Sequence, residues 1–215
     1  MIVSHVLIVG SAPVCIEDLE RTAQAADLIV CADGGADAVL DAHIMPAAVL
    51  GDMDSISARG RARLEEGGVQ LVEFPANKDQ TDLELALDFA LTRDPVRITV
   101  LGALGGARFD HALGNVMLLA SPSLRRTDVR MLDQSGELLA VWDRRTIAGT
   151  VGDYVSLMPL SLEAAGVYTT GLKYALAGDT LLQGSTRGIS NELVDTQATI
   201  SVGSGCLLVR HECAR

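Results

Sequence analysis

Aromatic side chains are scarce in this chain, at 3% of 215 residues with a single tryptophan. The core must come from Leu, Val, Ile and Ala, and a hydrophobic content of 48% is enough for a sizeable one. Positive charge is in deficit: 17 Lys and Arg stand against 28 Asp and Glu, for a net charge of -11. A nucleic-acid surface needs a basic stripe, so no nucleic-acid partner is expected. A polyphosphate would be repelled unless Mg²⁺ and nearby Lys or Arg offset the acids. Cys15, Cys31, Cys206 and Cys213 form no C-x-x-C pair, which removes zinc and redox motifs. They read as thiols of a reducing cytoplasm. No run approaches the roughly 20 apolar residues that span a bilayer. The N-terminus lacks the basic start of a signal peptide. The expectation is a soluble, cytoplasmic protein with no membrane partner. Walker A, G-x-G-x-x-G, Ser-His-Asp and Cys-His patterns are also missing, as are tandem repeats and a Pro/Ser-rich linker.

What is present is a set of acids where apolar runs stop. They occur in Ala32-Asp33-Gly34-Gly35, Gly51-Asp52-Met53-Asp54-Ser55, Asn77-Lys78-Asp79-Gln80-Thr81-Asp82 and Gly105-Gly106-Ala107-Arg108-Phe109-Asp110-His111. Apolar runs at 6–9, 28–31, 48–50, 69–74, 97–101 and 129–132 read as strands. Helical patterns at 16–25, 36–42, 57–66, 82–91 and 111–120 lie between them. This alternation predicts right-handed βαβ units and a mainly parallel sheet with flanking helices over residues 1–138. Beyond that, short pieces at 141–142, 154–158, 167–170, 172–176, 198–202 and 206–209 are separated by glycines. They predict an antiparallel β-sandwich over residues 139–215. The fold class is thus α/β followed by a β domain.

In an open parallel sheet the strand carboxyl ends share one edge, where ligands bind. Carboxylates gathered there repel each other unless something positive lies between them. Asp52, Asp54, Asp79 and Asp82 are the candidate metal ligands, with Asp33 and Asp110 at neighbouring strand ends. Each alone reads equally as a turn or capping acid. Thr81 and Glu84 make a capping box, which puts Asp82 at the positive end of a helix dipole. Lys78 and Arg108 are candidates to offset phosphate charge. The glycines of Gly102-Ala103-Leu104-Gly105-Gly106 allow close approach to a phosphate at the next helix start, or serve only the turn. His111 reads as ligand, substrate contact or helix start. In the second half, Ser190 and Asn191 are compact hydrogen-bonding groups suited to a heterocycle edge. Trp142 reads as core, and Arg125-Arg126 and Arg144-Arg145 as solvated faces or interdomain contacts.

Together these segments resemble the thiamine pyrophosphokinase family. The matching residues are Cys31-Ala32-Asp33-Gly34-Gly35-Ala36, Gly51-Asp52-Met53-Asp54-Ser55, Lys78-Asp79-Gln80-Thr81-Asp82, Gly105-Gly106-Ala107-Arg108-Phe109-Asp110-His111, Gly171–Leu176 and Gly188–Asn191. The family often has Gly-Gly-Arg where this chain inserts Ala107. The resemblance implies an α/β nucleotide-binding domain followed by a β-sandwich. It implies Mg²⁺-dependent pyrophosphoryl transfer from ATP to thiamine, giving thiamine diphosphate and AMP. It also implies a homodimer with active sites at the subunit interface. On this reading Asp52, Asp54, Asp79 and Asp82 bind metal, with Asp54 and Asp82 also near substrate. Asp33, Gly34, Gly35, Lys78, Gly105, Gly106, Arg108 and His111 hold the nucleotide. Lys78 and Arg108 stabilise the transferring group, and Ser190 and Asn191 contact thiamine. One of the acids, Asp110 included, accepts the hydroxyl proton. The alternatives are a metal-dependent phosphohydrolase and a non-enzymatic nucleotide sensor.

Overall fold

A computed structural model describes residues 3–214. It divides into two compact units. One runs to Leu118 and includes Thr127–Gln134. The other holds Leu119–Arg126 and the chain from Ser135 onward. The expected boundary at 138/139 lies inside a strand, and residues 1, 2 and 215 of the expected ranges fall outside the described residues.

The first unit contains strands β1 (His5–Val9), β2 (Leu28–Ala32), β3 (Ala48–Gly51), β4 (Gln70–Glu73), β5 (Arg97–Leu101) and β6 (Asp128–Asp133). Its helices are α1 (Ile16–Ala25), α2 (Gly35–Asp41), α3 (Ala58–Glu66), α4 (Asp82–Leu91) and α5 (Phe109–Leu118). The strands lie in the order β6-β5-β1-β2-β3-β4, and each neighbouring pair is parallel. A parallel sheet is covered on both faces, so its strands are nearly continuous apolar runs. On one face Leu7, Val9, Cys31 and Val49 pack with Leu19 of α1, Val39 and Leu40 of α2 and Leu64 of α3. α4 also packs on β1, β2 and β3 and buries Leu83, Leu85, Leu87 and Ala90. Thr81 Oγ1 accepts from the Glu84 N–H at 3.3 Å, as the capping box requires. α5 begins at Phe109, two residues before the helical pattern does, and buries none of its residues. Without a core-facing stripe, periodicity marks its start poorly.

The chain steps from β1 outward to β4, then returns to place β5 on the other side of β1. The strand order therefore reverses between β1 and β5. Such a reversal point is where an open α/β sheet binds ligands.

The second unit is a sandwich of β7 (Gly136–Val141), β8 (Arg144–Ala148), β9 (Tyr154–Pro159), β10 (Glu163–Thr170), β11 (Ala177–Leu182), β12 (Asn191–Glu192), β13 (Gln197–Ser201) and β14 (Leu207–Glu212). One layer runs β12-β9-β14-β7 and the other β11-β10-β13-β8, all antiparallel. Leu139, Val141, Val155, Leu157, Leu207 and Val209 from the first layer meet Ile147, Ala164, Val167, Leu181, Ala198 and Ile200 from the second. The expected strand at 172–176 is instead a bend, with one bridge from Leu172 to Leu193 and single backbone hydrogen bonds to β10 and β12. Positive φ at Gly171 (75°) turns the chain out of the extended region there. β8 and β11 are strands that apolar content does not reveal, because their sequences RRTIA and AGDTLL are largely polar or small.

Candidate active site

At the reversal point lies a cleft of about 320 Å³. Gly10, Ser11 and Ala12 after β1 line one side, and Gly102, Ala103 and Gly105 to Arg108 after β5 contribute another. Lys78, Gln80, Thr81, Asp82 and Leu83 before and within α4, and His111, Ala112 and Asn115 of α5, contribute the rest. The two loops are tied together: Gly10 N–H donates to the Leu101 carbonyl at 2.8 Å, and Ala12 N–H to the Gly102 carbonyl at 2.9 Å. Gly102 has φ of 66°, and a Cβ there would lie 2.4 Å from the Gly10 carbonyl oxygen. Only glycine permits that crossing. Asn115 fixes the glycine-rich loop by donating from Nδ2 to the Ala103 carbonyl at 2.8 Å.

The acids meet beside this cleft, though not in the expected set. Asp33, Asp52 and Asp82 place carboxylate oxygens within 4.8 Å of one another. Asp33 is buried at φ 45°, a left-handed conformation that Asp tolerates better than most residues. Gly51 makes the gathering possible, since a Cβ there would come within 2.9 Å of Asp33 Cβ and 3.1 Å of Asp82 Oδ1. Lys78 Nζ is 3.1 Å from Asp82 Oδ1 and 3.9 Å from Asp52 Oδ2. Lys78 thus pairs with two of the three acids. Asp33 Oδ1 is sealed from solvent without a hydrogen-bond partner. Asp82 Oδ1 is likewise sealed, with the Lys78 ion pair but no hydrogen bond of acceptable geometry. Burial raises the Asp33 carboxyl pKa above its ordinary value, and the charges of Asp82 and Asp52 add to the rise.

Asp54 and Asp79 do not join this cluster and are exposed. The loop turns at Met53 (φ 64°), and Asp54 Oδ1 accepts from the Ser55 hydroxyl at 2.9 Å. Gly105, Gly106, Arg108 and His111 line the cleft. Gly34 caps α2 and Gly35 begins it. Arg108 pairs with Asp110 through Nε at 2.9 Å and Nη2 at 2.5 Å. That pairing holds the Asp110 carboxyl far below the usual carboxylate range, chiefly through the hydrogen bond from Arg108. Asp110 is a poor proton acceptor while so paired. Gly10, Ser11 and Asn115 carry no acid and escaped the sequence reading; the strand-end position of Gly10 and Ser11 was their only signal.

In the second unit, Asn191 is buried with its amide engaged. Oδ1 accepts from the Tyr174 N–H at 2.9 Å and Nδ2 donates to the Tyr174 carbonyl at 2.8 Å. These two bonds pin the Tyr174 bend to Asn191. Ser190 is exposed at φ 60°, and its N–H donates to Ser156 Oγ at 3.0 Å.

The donor set fits a hard divalent cation. It offers three carboxylates, a solvent-sealed oxygen lacking a partner, and a glycine whose missing Cβ keeps the space open. Opposite ligands of an octahedral Mg²⁺ lie roughly 4 Å apart, at metal–oxygen distances of about 2.1 Å.

The sequence matches two family models: "Thiamin pyrophosphokinase, catalytic domain" over residues 19–131, and "Thiamin pyrophosphokinase, vitamin B1 binding domain" over residues 145–207. The chain belongs to the thiamine pyrophosphokinase family. A thiamine pyrophosphokinase of Bacillus subtilis (strain 168) is 34% identical over 205 residues, covering 94% of this chain and 95% of that one. Thiamine pyrophosphokinase 1 of Oryza sativa subsp. japonica is 32% identical, covering 83% of this chain and 76% of its own. The crystal structure of the Bacillus subtilis thiamine pyrophosphokinase superposes with a TM-score of 0.86 at 31% identity, over 99% of this chain and all of that one. These matches support neither the phosphohydrolase nor the sensor alternative. Among the described residues, no helix is long and apolar enough to cross a membrane.

Proposed function

We propose that this member of the thiamine pyrophosphokinase family transfers a pyrophosphoryl group from ATP to thiamine, using the cleft between the β1 and β5 loops. The carrying observation is the convergence of Asp33, Asp52 and Asp82 at the edge of that cleft, with Lys78 paired to the last two. The hydroxyl oxygen of thiamine attacks the β-phosphorus of ATP. The bond from that phosphorus to the α-phosphate oxygen breaks, and AMP leaves. The hydroxyl proton passes to a carboxylate, and the pairing of Asp110 with Arg108 disfavours Asp110 for this task. Mg²⁺ held by Asp33, Asp52 and Asp82 would neutralise triphosphate charge in the transition state. Lys78 is placed to add a second positive charge once phosphate displaces its ion pairs. Glycines 105 and 106 let backbone approach the phosphates next to the α5 N-terminus. Arg108 reaches the transferring group on release from Asp110. The permanent thiazolium cation is favoured by the surplus of acids.

For the vitamin, Ser190 and the exposed Tyr174 are the proposed contacts, with Asn191 as a positioning residue. The same family reading supports a homodimer whose sites are completed across subunits. Phe109, Leu113 and Met117 support it physically: they form an i, i+4, i+8 apolar stripe on α5, exposed by 78%, 47% and 59%. Four free cysteines accord with a cytoplasmic home.

Purified protein with ATP, Mg²⁺ and thiamine should yield AMP and thiamine diphosphate in equal amounts. ADP as the sole nucleotide product, or turnover untouched by EDTA, contradicts the reading. Mixed Asp82→Asn and Ser190→Ala chains should show activity above either parent; no gain after verified subunit exchange contradicts the composite site.

A further inference from the structure

Four arginines line one pocket of the second unit. Arg125 and Arg126 follow the short 3₁₀ turn at Pro122–Leu124, and Arg144 and Arg145 open β8. Trp142 and Asp143 complete the wall of a cavity of about 250 Å³. The Arg125 guanidinium lies over the Trp142 ring, 5.6 Å from its centroid. No residue is shared with the acidic cleft.

This grouping is unusual for the chain. Elsewhere cations are mostly matched: Arg21, Arg61, Arg97, Arg108, Arg187, Lys78 and Lys173 all form ion pairs. Among the described residues no ion pair reaches Arg125, Arg126, Arg144 or Arg145, and Asp143 is the single acid lining their pocket. In a protein of net charge -11, surplus carboxylates are available for pairing, yet these four cations have only Asp143 in their pocket, and among the described residues none is ion-paired to it. Like charges in one cavity repel each other, and an anion arriving from solution relieves that repulsion. Guanidinium forks match phosphate oxygens two at a time. Four of them exceed what a single carboxylate needs and suit a linked chain of phosphates. The Trp142 ring adds a flat wall, already covered in part by Arg125.

We propose that this pocket binds the di- or triphosphate chain of a small phosphorylated molecule, independently of divalent metal. The chemistry has two natural sources in the assigned reaction, the nucleoside triphosphate consumed and the diphosphate ester formed. The chain's single tryptophan lies in the pocket, so its emission reports occupancy there directly.

The test titrates inorganic tripolyphosphate into the full-length protein, in excess EDTA and at constant ionic strength, while Trp142 fluorescence is followed. A saturable change is expected. The double variant Arg144→Gln/Arg145→Gln should weaken it about tenfold or more, as should the exposed single variant Arg126→Gln in smaller measure. Asp82→Asn should leave it intact, which separates this site from the catalytic one. Repeating with ATP and with thiamine diphosphate identifies the source: a tighter response to one names it, and equal responses mean that the phosphate chain alone is read. The proposal is overturned by emission that fails to saturate, that follows ionic strength alone, or that persists unchanged in variants shown by circular dichroism to be folded. It is equally overturned if emission follows only protein concentration, the sign of a second copy's acidic surface on the pocket.

Discussion

Two partly buried acidic clusters among the described residues are built on opposite terms. In the second unit, His211 sits between Glu137 and Asp153, with Nδ1 3.6 Å from Glu137 Oε1 and Nε2 3.1 Å from Asp153 Oδ2. Asp153 is fully used: Oδ1 accepts from the Ala214 N–H and Oδ2 from the Thr150 N–H, each at 2.8 Å. In the first unit, Lys78 pairs with Asp52 and Asp82, and Asp33 Oδ1 beside them is left without a partner. A cluster that satisfies its own charges fastens a structure. One that leaves charge unmet costs stability and awaits a ligand.

The contrast predicts opposite outcomes for matched substitutions. Asp33→Asn, Asp52→Asn and Asp82→Asn should each lower turnover by about a hundredfold or more, with melting temperature unchanged or raised in the metal-free protein. Asp54→Asn and Asp79→Asn should have much smaller effects on turnover, because these side chains stand outside the cluster. Steady-state kinetics and melting curves on the five variants check this. Equal losses across all five would erase the distinction drawn from the geometry.

Asp153→Asn should do the reverse. It disrupts a buried, satisfied network at a cost of roughly 2 kcal/mol, while turnover per folded molecule holds. Urea unfolding read beside activity measures both. A lower rate at full folding would tie this cluster to the chemistry.

A smaller effect concerns pH. The hydrogen bond to Glu137 raises the His211 pKa, burial lowers it, and Asp153 raises it further, leaving a net increase. A histidine with raised folded pKa gives stability that is full below its unfolded value of about 6.5 and is lost as pH rises through the folded one. Asp33 has a raised carboxyl pKa, so ionising it costs the metal-free protein stability as pH rises above about 4. His211→Gln should flatten the loss of stability seen above neutrality. Asp33→Asn should flatten the change on the acidic side. Melting temperature against pH, with EDTA present, resolves the two.

Much of this was legible in the sequence, and the failures have a common cause. Helices α1 and α4 and strand β5 appear with their bounds intact, because apolar period and capping are local properties. The gathering of acids at strand ends was legible as well, since parallel topology forces those ends to one edge. Which acids converge was not. That depends on the glycine at 51 and the φ reversal at Met53, which send Asp52 inward and leave Asp54 in solvent. Asn191 shows the same limit: its amide chemistry is plain, but only the fold reveals that Tyr174 already occupies it. The Gly10-Ser11 wall carries no ionisable group and becomes visible only once the strand order places β5 beside β1.

The most direct measurement uses Mn²⁺ as a paramagnetic substitute for Mg²⁺ and counts the free ion by electron paramagnetic resonance as protein is added. Wild-type chain and Asp153→Asn should bind Mn²⁺ with equal affinity in the presence of ATP, while Asp33→Asn and Asp82→Asn should bind it at least about tenfold more weakly. Undiminished binding by both triad variants would contradict the assignment of the unsatisfied acids to metal.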